Sequence, residues 1–137
     1  MASFGGMLGF TSFAIEANGE TQGLMILNLM ELCRLPCQED KHLVYIEYLE
    51  TAPWNRATLT NKRRFKGVGP VLVSVAIQVS IQEEFDGRIG LHSLPQSDGW
   101  YKNRCGMEDL GPDSHKQNLR YYEMTARQAK TFVWNGK

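Results

Sequence analysis

The sequence predicts an α+β domain built on a mixed, mostly antiparallel sheet. Three observations lead to this prediction: a hairpin signal at Asn18-Gly19, a run of β-forming residues from His42 to Glu50, and a long apolar segment from Pro70 to Phe85. With 137 residues the chain has the length of one domain, so we treat residues 1–137 as a single folded unit.

The first predicted structure is a β-hairpin. Asn18 and Gly19 both tolerate positive φ, which the favoured two-residue turns require. Weak alternation over Thr11–Ala17 and the longer apolar run Thr21–Leu32 supply the two strands, although the length of the second run also permits a buried helical turn or two. His42–Glu50 is the next strand.

The segment Pro70–Phe85 satisfies two patterns. Its β-branched residues alternate with smaller or polar ones, as in a strand, while its apolar residues also form one helical face. About sixteen residues is long for a strand and ordinary for a helix. Proline is tolerated in a first helical turn, so we favour a helix that begins near Pro70 and is ended by Gly87.

The rest of the chain is predicted to alternate between short strands and helices. The expected elements are a strand over Arg88–Ser93, a helix over Pro95–Arg104 ended by Gly106, a strand over Met107–Leu110, a turn at Gly111-Pro112-Asp113, a strand over Leu119–Thr125 and a helix over Ala126–Trp134. Thr125 is the expected N-cap of the last helix.

The composition narrows the possible functions. Fifteen basic and fifteen acidic residues cancel, so no overall charge favours nucleic acid or a membrane surface. The apolar run from Val68 to Ile81 is too short to cross a bilayer. Three cysteines make no disulfide framework, which favours a reducing, cytoplasmic environment. Cys33 and Cys37 lack a second ligand pair, so we expect no metal site.

A short glycine motif is the strongest candidate for a ligand site. Gly67 and Gly69 follow the basic run Lys62-Arg63-Arg64 and Lys66, and they precede the predicted helix. Backbone N–H groups at a helix start can bind a phosphate, and glycine allows a close approach. Such a pair is often only a turn, and the same basic run alone would also fit a small nucleic-acid patch.

The order of these features resembles the GCN5-related N-acetyltransferase (GNAT) superfamily over roughly residues 10 to 125. The motif residues that carry the resemblance are Arg64, Gly67 and Gly69, followed by Ser97, Trp100, Tyr101, Gly106 and Met107. It implies a sheet with helices on both faces. The family's usual first strand and two helices are lacking here, because the hairpin begins almost at once, and a homodimer is one way to cover the acceptor side.

The resemblance also implies acetyl-CoA as cosubstrate and a set of residues that bind it. The pyrophosphate loop would comprise Arg64, Gly67, Val68 and Gly69, with one N–H donor lost at Pro70, and Val71 would be a further cofactor-binding residue. Lys62, Arg63 and Lys66 would hold the ribose phosphate. The pantetheine arm would lie between the strand Tyr45–Thr51 and the strand Arg88–Ser93, and would pair with backbone near Leu49 and Thr51.

The implied reaction is acetyl transfer to a primary amine by direct attack. Tyr101 matches the position that protonates the leaving thiolate, and Glu47 or Glu50 would be the base. In an ideal strand these two glutamates face opposite sides, so only one is expected in the site. The alternative is a catalytically degenerate module of the same fold that binds CoA or a protein partner. His92 we interpret as a satisfied core histidine rather than a base.

Overall fold

The computed structural model describes residues 2–3, 9–52 and 68–134, and these form one seven-stranded sheet with two α-helices. The strands in spatial order are β1 (Ala2–Ser3), β2 (Phe10–Ala17), β3 (Glu20–Leu32), β4 (His42–Thr51), β5 (Ile89–Ser93), β7 (Leu119–Met124) and β6 (Glu108–Asp113). Only β4 and β5 pair in parallel, so the predicted mixed, mostly antiparallel sheet is confirmed.

Local sequence signals explain several elements. Asn18 and Gly19 adopt φ values of 55° and 76° and join β2 to β3, as the hairpin signal predicts. The ambiguous apolar segment is the helix α1 (Val68–Gln82), which connects the parallel strands β4 and β5. The short edge strand β1 precedes the hairpin and pairs with β2 in antiparallel orientation.

The second helix, α2 (Ala126–Trp134), begins where the sequence predicts. The Thr125 hydroxyl accepts the Gln128 N–H at 3.0 Å, and the Gln128 side-chain oxygen accepts the Thr125 N–H at 2.9 Å. This reciprocal pair is a capping box, which satisfies two backbone donors at the helix start.

Both α-helices pack against the same face of the sheet. The core there joins Leu72, Ala76 and Ile77 of α1 to Leu91 of β5 and Ala129 of α2. The expectation of helices on both faces is therefore wrong for the described residues. The apolar side chains of α1 and Ala129 of α2 pack into one continuous core.

The opposite face, which we call the distal face, carries the side chains of Asn28, Tyr45, His92, Tyr121 and Glu123. The segment between β3 and β4 covers part of it through a short 3₁₀ turn, Pro36–Gln38. The carboxylate of Glu123, which is fully buried, fixes that segment. It accepts hydrogen bonds from the Arg34 and Leu35 N–H groups, the Gln38 amide and the Tyr121 hydroxyl, at 2.6–2.9 Å.

The last part of the chain departs from the predicted boundaries. Pro95–Arg104 is a 3₁₀ turn at Pro95–Ser97 followed by a π-helical turn at Trp100–Arg104, rather than one α-helix. The predicted turn at Gly111-Pro112-Asp113 lies within β6 instead. Gly111 at φ 88° sits at a register shift there, so the chain bends without leaving the sheet.

Candidate active site

The centre of the candidate site is the point where β4 and β5 separate. Their parallel ladder consists of three residue pairs and ends at Ile46 opposite Leu91. Beyond that pair β4 continues to Thr51, held by β3, and β5 continues to Ser93, held by β7. The two strands thus leave a gap in the middle of the sheet, where an extended ligand can reach their backbones. Leu49 and Thr51, predicted as cofactor-binding residues, lie in this part of β4.

A β-bulge in β4 coincides with this separation. Ile46 lies opposite Leu27 and Tyr48 lies opposite Ile26, so Glu47 is an extra residue with no counterpart in β3. A bulge bends the strand that contains it and increases its twist. Because the bulge follows directly after the last pair with β5, it accounts for the divergence of the two strands.

The bulge also decides which face each side chain of β4 occupies. Leu49 lies opposite Met25 and packs on the core beside α1, whereas Tyr48 and Glu50 lie on the distal face. Glu47 points to the same distal face, because its carboxylate accepts the Asn28 amide at 2.9 Å. The expectation that Glu47 and Glu50 face opposite sides is therefore wrong, since it assumed a strand without a bulge.

Glu50 has a partner on its own face. The Tyr48 hydroxyl, two residues earlier along β4, donates a hydrogen bond to the Glu50 carboxylate. Both side chains are exposed. The two glutamates proposed as bases are thus brought together on the distal face, beside the gap between β4 and β5.

The start of α1 packs against the π-helical turn Trp100–Arg104. The predicted phosphate-binding residues between 62 and 67 lie outside the described residues, and the helix begins at Val68. A Cβ added to Gly69 would lie 3.3 Å from the Trp100 ring, so glycine permits this close packing.

The first described turn of α1 contains two residues of the predicted pyrophosphate loop. Val68 and Gly69 each carry a backbone N–H group there, while Pro70 has none. Val71 is half exposed on this turn.

Tyr101, the predicted acid, lies in the π-helical turn against the core. It is 8% exposed, and its ring meets Trp100 edge to face with centroids 4.9 Å apart. Burial, with a smaller contribution from Cys105, raises the pKa of Tyr101 far above its usual range. The phenol therefore stays protonated at neutral pH and can donate a hydrogen bond.

A cavity of about 460 Å³ opens between the start of α1, the π-helical turn and α2. Its lining includes Pro70, Trp100, Asn103, Arg104, Arg127 and Phe132. The other described arginines make ion pairs: Arg34 with Asp113, Arg88 with Asp86 and Arg120 with Asp109. Arg104 and Arg127 have no carboxylate partner in the described part of the chain. Two such guanidinium groups beside aromatic rings suit an anionic, ring-bearing ligand.

Sequence reasoning missed both cavity arginines. Arg104 and Arg127 are far apart in the chain, and only the position of α2 brings them to one cavity. In the sequence, each of these arginines is only a basic residue near an aromatic one. That pattern is too common to predict a binding site.

A hydrogen-bonded chain lies on the distal face where β4 and β5 separate. The Tyr45 hydroxyl is 2.6 Å from His92 Nδ1, and His92 Nε2 is 2.9 Å from the Asp113 carboxylate. Arg34 approaches the same Asp113 oxygen at 2.8 Å. His92 is thus a buried, fully bonded histidine, as the sequence interpretation has it.

Two of the three cysteines, Cys33 and Cys105, are buried, whereas Cys37 is exposed. Burial raises the pKa of Cys33 to about 11 and that of Cys105 to about 12, so both remain thiols at neutral pH. Across residues 2–3, 9–52 and 68–134, no group of three His, Cys, Asp or Glu side chains is arranged to hold a metal ion. In these ranges, no helix has the length and apolar character needed to span a membrane.

Known proteins resemble this chain in structure but not detectably in sequence. No protein-family description and no curated protein matches it. An acetyltransferase from Bacillus cereus aligns over 83% of this chain and 69% of its own, at 13% identity and a TM-score of 0.55. An aminoglycoside acetyltransferase solved with coenzyme A and kanamycin aligns over 90% and 70%, at 16% identity and a TM-score of 0.59.

A third solved structure, described as histone acetyltransferase HPA2 and related acetyltransferase from Corynebacterium glutamicum, gives 16% identity and a TM-score of 0.51. It aligns over 84% of this chain and 64% of its own, so the chain spans under two thirds of that protein. The chain therefore shares its fold with these solved acetyltransferases. Specifically, the chain has the GNAT fold that its motif order predicts.

Proposed function

We propose that the protein is an acyl-CoA-dependent N-acyltransferase that transfers acetyl from acetyl-CoA to a primary amine. The observation that carries the proposal is the separation of β4 and β5 at the bulge, with α1 and the buried Tyr101 packed on the core face of the same sheet. A thioester held in that gap is reachable from the distal face, where Glu47 and Glu50 lie.

The residues of the chain fit coenzyme A along its length. Leu49 and Thr51 present backbone to the pantetheine arm. At the start of α1, Arg64, Gly67, Val68 and Gly69 would bind the pyrophosphate, with Val71 as a further contact. Lys62, Arg63 and Lys66 would hold the ribose phosphate. The cavity with Arg104 and Arg127 has the charge and volume for the phosphorylated nucleoside end.

The proposed reaction needs a neutral amine, charge stabilisation and a proton for the thiolate. Glu50 or Glu47 would remove the proton of the ammonium, directly or through water. The amine nitrogen then forms a bond to the acetyl carbon, and a backbone N–H on β4 stabilises the developing oxyanion. When the C–S bond breaks, sulfur takes the electron pair and a proton from Tyr101. The nitrogen loses its remaining extra proton as the amide forms, and this proton restores the Tyr101 phenol, directly or through water.

Turnover tests the proposal directly. The chain is incubated with acetyl-CoA and a panel of kanamycin, spermidine and a lysine-containing peptide, and free thiol is followed. We expect amine-dependent thiol release and acetylated product by mass spectrometry. Tyr101→Phe is the matched variant, because it removes one hydroxyl and keeps the ring against Trp100. Release equal to the amine-free background with every amine would overturn the catalytic proposal.

The second candidate is a module that binds CoA without transfer. It is favoured by Pro70, which removes one N–H from the first turn of α1. Calorimetric binding of CoA together with no turnover would support it. A homodimer and a cytoplasmic location complete the proposal, and size-exclusion chromatography with light scattering tests the first of these.

A further inference from the structure

We propose that Tyr45, His92 and Asp113 form a proton relay that accepts the proton of the acceptor amine on the distal face. The inference rests on the proposed acyltransfer and replaces the Glu47 or Glu50 base of that scheme by the relay. In this scheme the Glu47 and Glu50 carboxylates hold the ammonium by charge, and the relay removes its proton.

The relay lies at the vertex of the gap. Tyr45 belongs to the parallel ladder, opposite Gly90, and His92 is the first residue of β5 beyond the last pair. Tyr45 lies opposite Asn28 on β3, whose amide donates to Glu47. The phenol of the relay and the two carboxylates therefore share one face and one strand.

The hydrogen bonds fix the direction in which a proton can move. Bonds from Arg34 and His92 hold the pKa of Asp113 well below its usual range, so this carboxylate only accepts. His92 must then carry its proton on Nε2, which leaves Nδ1 as the acceptor of the Tyr45 hydroxyl at 2.6 Å. This tautomer can take a further proton only at Nδ1, the atom that faces Tyr45.

The electrostatics suit a base that is neutral at rest. Burial lowers the pKa of His92, and Arg34 and Lys116 lower it further, against the raising effect of Asp113. Burial and the nearby glutamates raise the pKa of Tyr45 to about 12, so this residue passes a proton on without becoming an anion. The charged or titratable groups around the pair are Glu31, Arg34, Glu47, Asp113, Lys116, Tyr121 and Glu123.

The step balances without a further reactant. The amine gives one proton to the Tyr45 oxygen while the Tyr45 hydroxyl proton moves to His92 Nδ1. His92 becomes an imidazolium that is bonded to Asp113, and the amine is left neutral for attack. After the product leaves, His92 releases the proton to solvent and the chain returns to its starting state.

The pH dependence of turnover tests the relay. The kcat and KM values are measured between pH 5 and 9 with the best acceptor of the amine panel, for the natural chain and for His92→Gln, Tyr45→Phe and Asp113→Asn. We expect kcat/KM of the natural chain to fall below a midpoint under about 6.5, because His92 must be neutral. The three variants should lose on the order of 10²-fold in kcat with little change in KM, and His92→Gln should lose this acidic limb.

Tyr121→Phe is the matched control. Its hydroxyl is equally buried on the same face but donates to Glu123 rather than to His92. We expect its kcat and pH profile to stay within twofold of the natural chain. A His92→Gln chain that keeps both its kcat and its acidic limb would overturn the relay while leaving the acyltransfer intact, whereas no turnover by the natural chain would overturn both.

A second measurement does not depend on turnover. A long-range ¹H–¹⁵N spectrum of the histidine side chains at pH 7 should show His92 as a neutral ring protonated on Nε2. An imidazolium, or a ring protonated on Nδ1, would overturn the relay, because neither could accept a proton from Tyr45.

Discussion

Replacing Glu123 by glutamine should destabilise the fold strongly, although it changes only one atom. Glu123 is fully buried, and its two oxygens each accept two hydrogen bonds. One oxygen faces the Arg34 N–H and the Tyr121 hydroxyl, and the other faces the Leu35 N–H and the Gln38 amide. A glutamine keeps one oxygen and places an N–H₂ group before the other two donors.

The expected loss follows from these four bonds. The tyrosine hydroxyl and the glutamine amide can each turn, but a backbone N–H cannot, so either Arg34 or Leu35 loses its acceptor. A buried donor without an acceptor costs about 1–3 kcal/mol. The remaining hydrogen bonds become weaker, because their acceptor changes from a charged carboxylate to a neutral amide. The glutamine also avoids the cost of burying a charge, which partly offsets this weakening. The net additional loss is roughly 1 kcal/mol. We therefore expect the free energy of unfolding to fall by about 3 kcal/mol.

Urea denaturation followed by circular dichroism measures this change. Glu39→Gln is the matched control, since it makes the same substitution at an exposed position beside the same 3₁₀ turn, and its effect should stay within about 0.5 kcal/mol. A loss below about 1 kcal/mol for Glu123→Gln, at an unchanged denaturant slope, would contradict the reasoning. It would mean that the segment between β3 and β4 is not held by this carboxylate.

Three further outcomes are expected. Tyr101→Phe should lower kcat on the order of 10²-fold in the thiol-release assay, because the acid acts on the leaving group. The calorimetric Kd for CoA should stay unchanged. A weakened Kd with a normal kcat would contradict the role of Tyr101 as the acid. The double variant Arg104→Ala, Arg127→Ala should weaken CoA binding roughly tenfold or more, most strongly at low salt. The control Arg120→Ala, which removes an ion-paired arginine, should leave CoA binding unchanged. Equal effects of the two would contradict a role of the cavity in CoA binding. Thr125→Ala should cost about 1 kcal/mol of unfolding free energy through the lost N-cap, measurable in urea, and no loss would mean that α2 does not need it.

Much of the fold could be predicted because its signals are local. Asn18-Gly19 specifies the hairpin, since both residues accept positive φ. Thr125 with Gln128 specifies the start of α2 through a capping box. The length of the apolar segment decides in favour of α1, despite its many β-branched residues.

The parts that could not be predicted depend on distant partners. Nothing in the sequence around Glu47 reveals an extra residue, because a bulge is defined only by the pairing with β3. Asp113 follows Gly111-Pro112, which locally indicates a turn, and its bonds to His92 and Arg34 join residues far apart in the chain. Face assignments and the polar chain on the distal face were therefore beyond local rules.

Glu47 contributes both an extra residue to β4 and a charged side chain to the distal face. Tyr48 and Glu50 keep their pairing partners in β3 only because the extra residue is skipped by the ladder. A chain with Glu47 deleted would leave every side chain on its present face, yet the straightened strand would pair further along β5 and narrow the gap. Deletion and the Glu47→Gln substitution therefore separate two roles of one position: the deletion removes the shape of the strand, and the substitution removes only the charge.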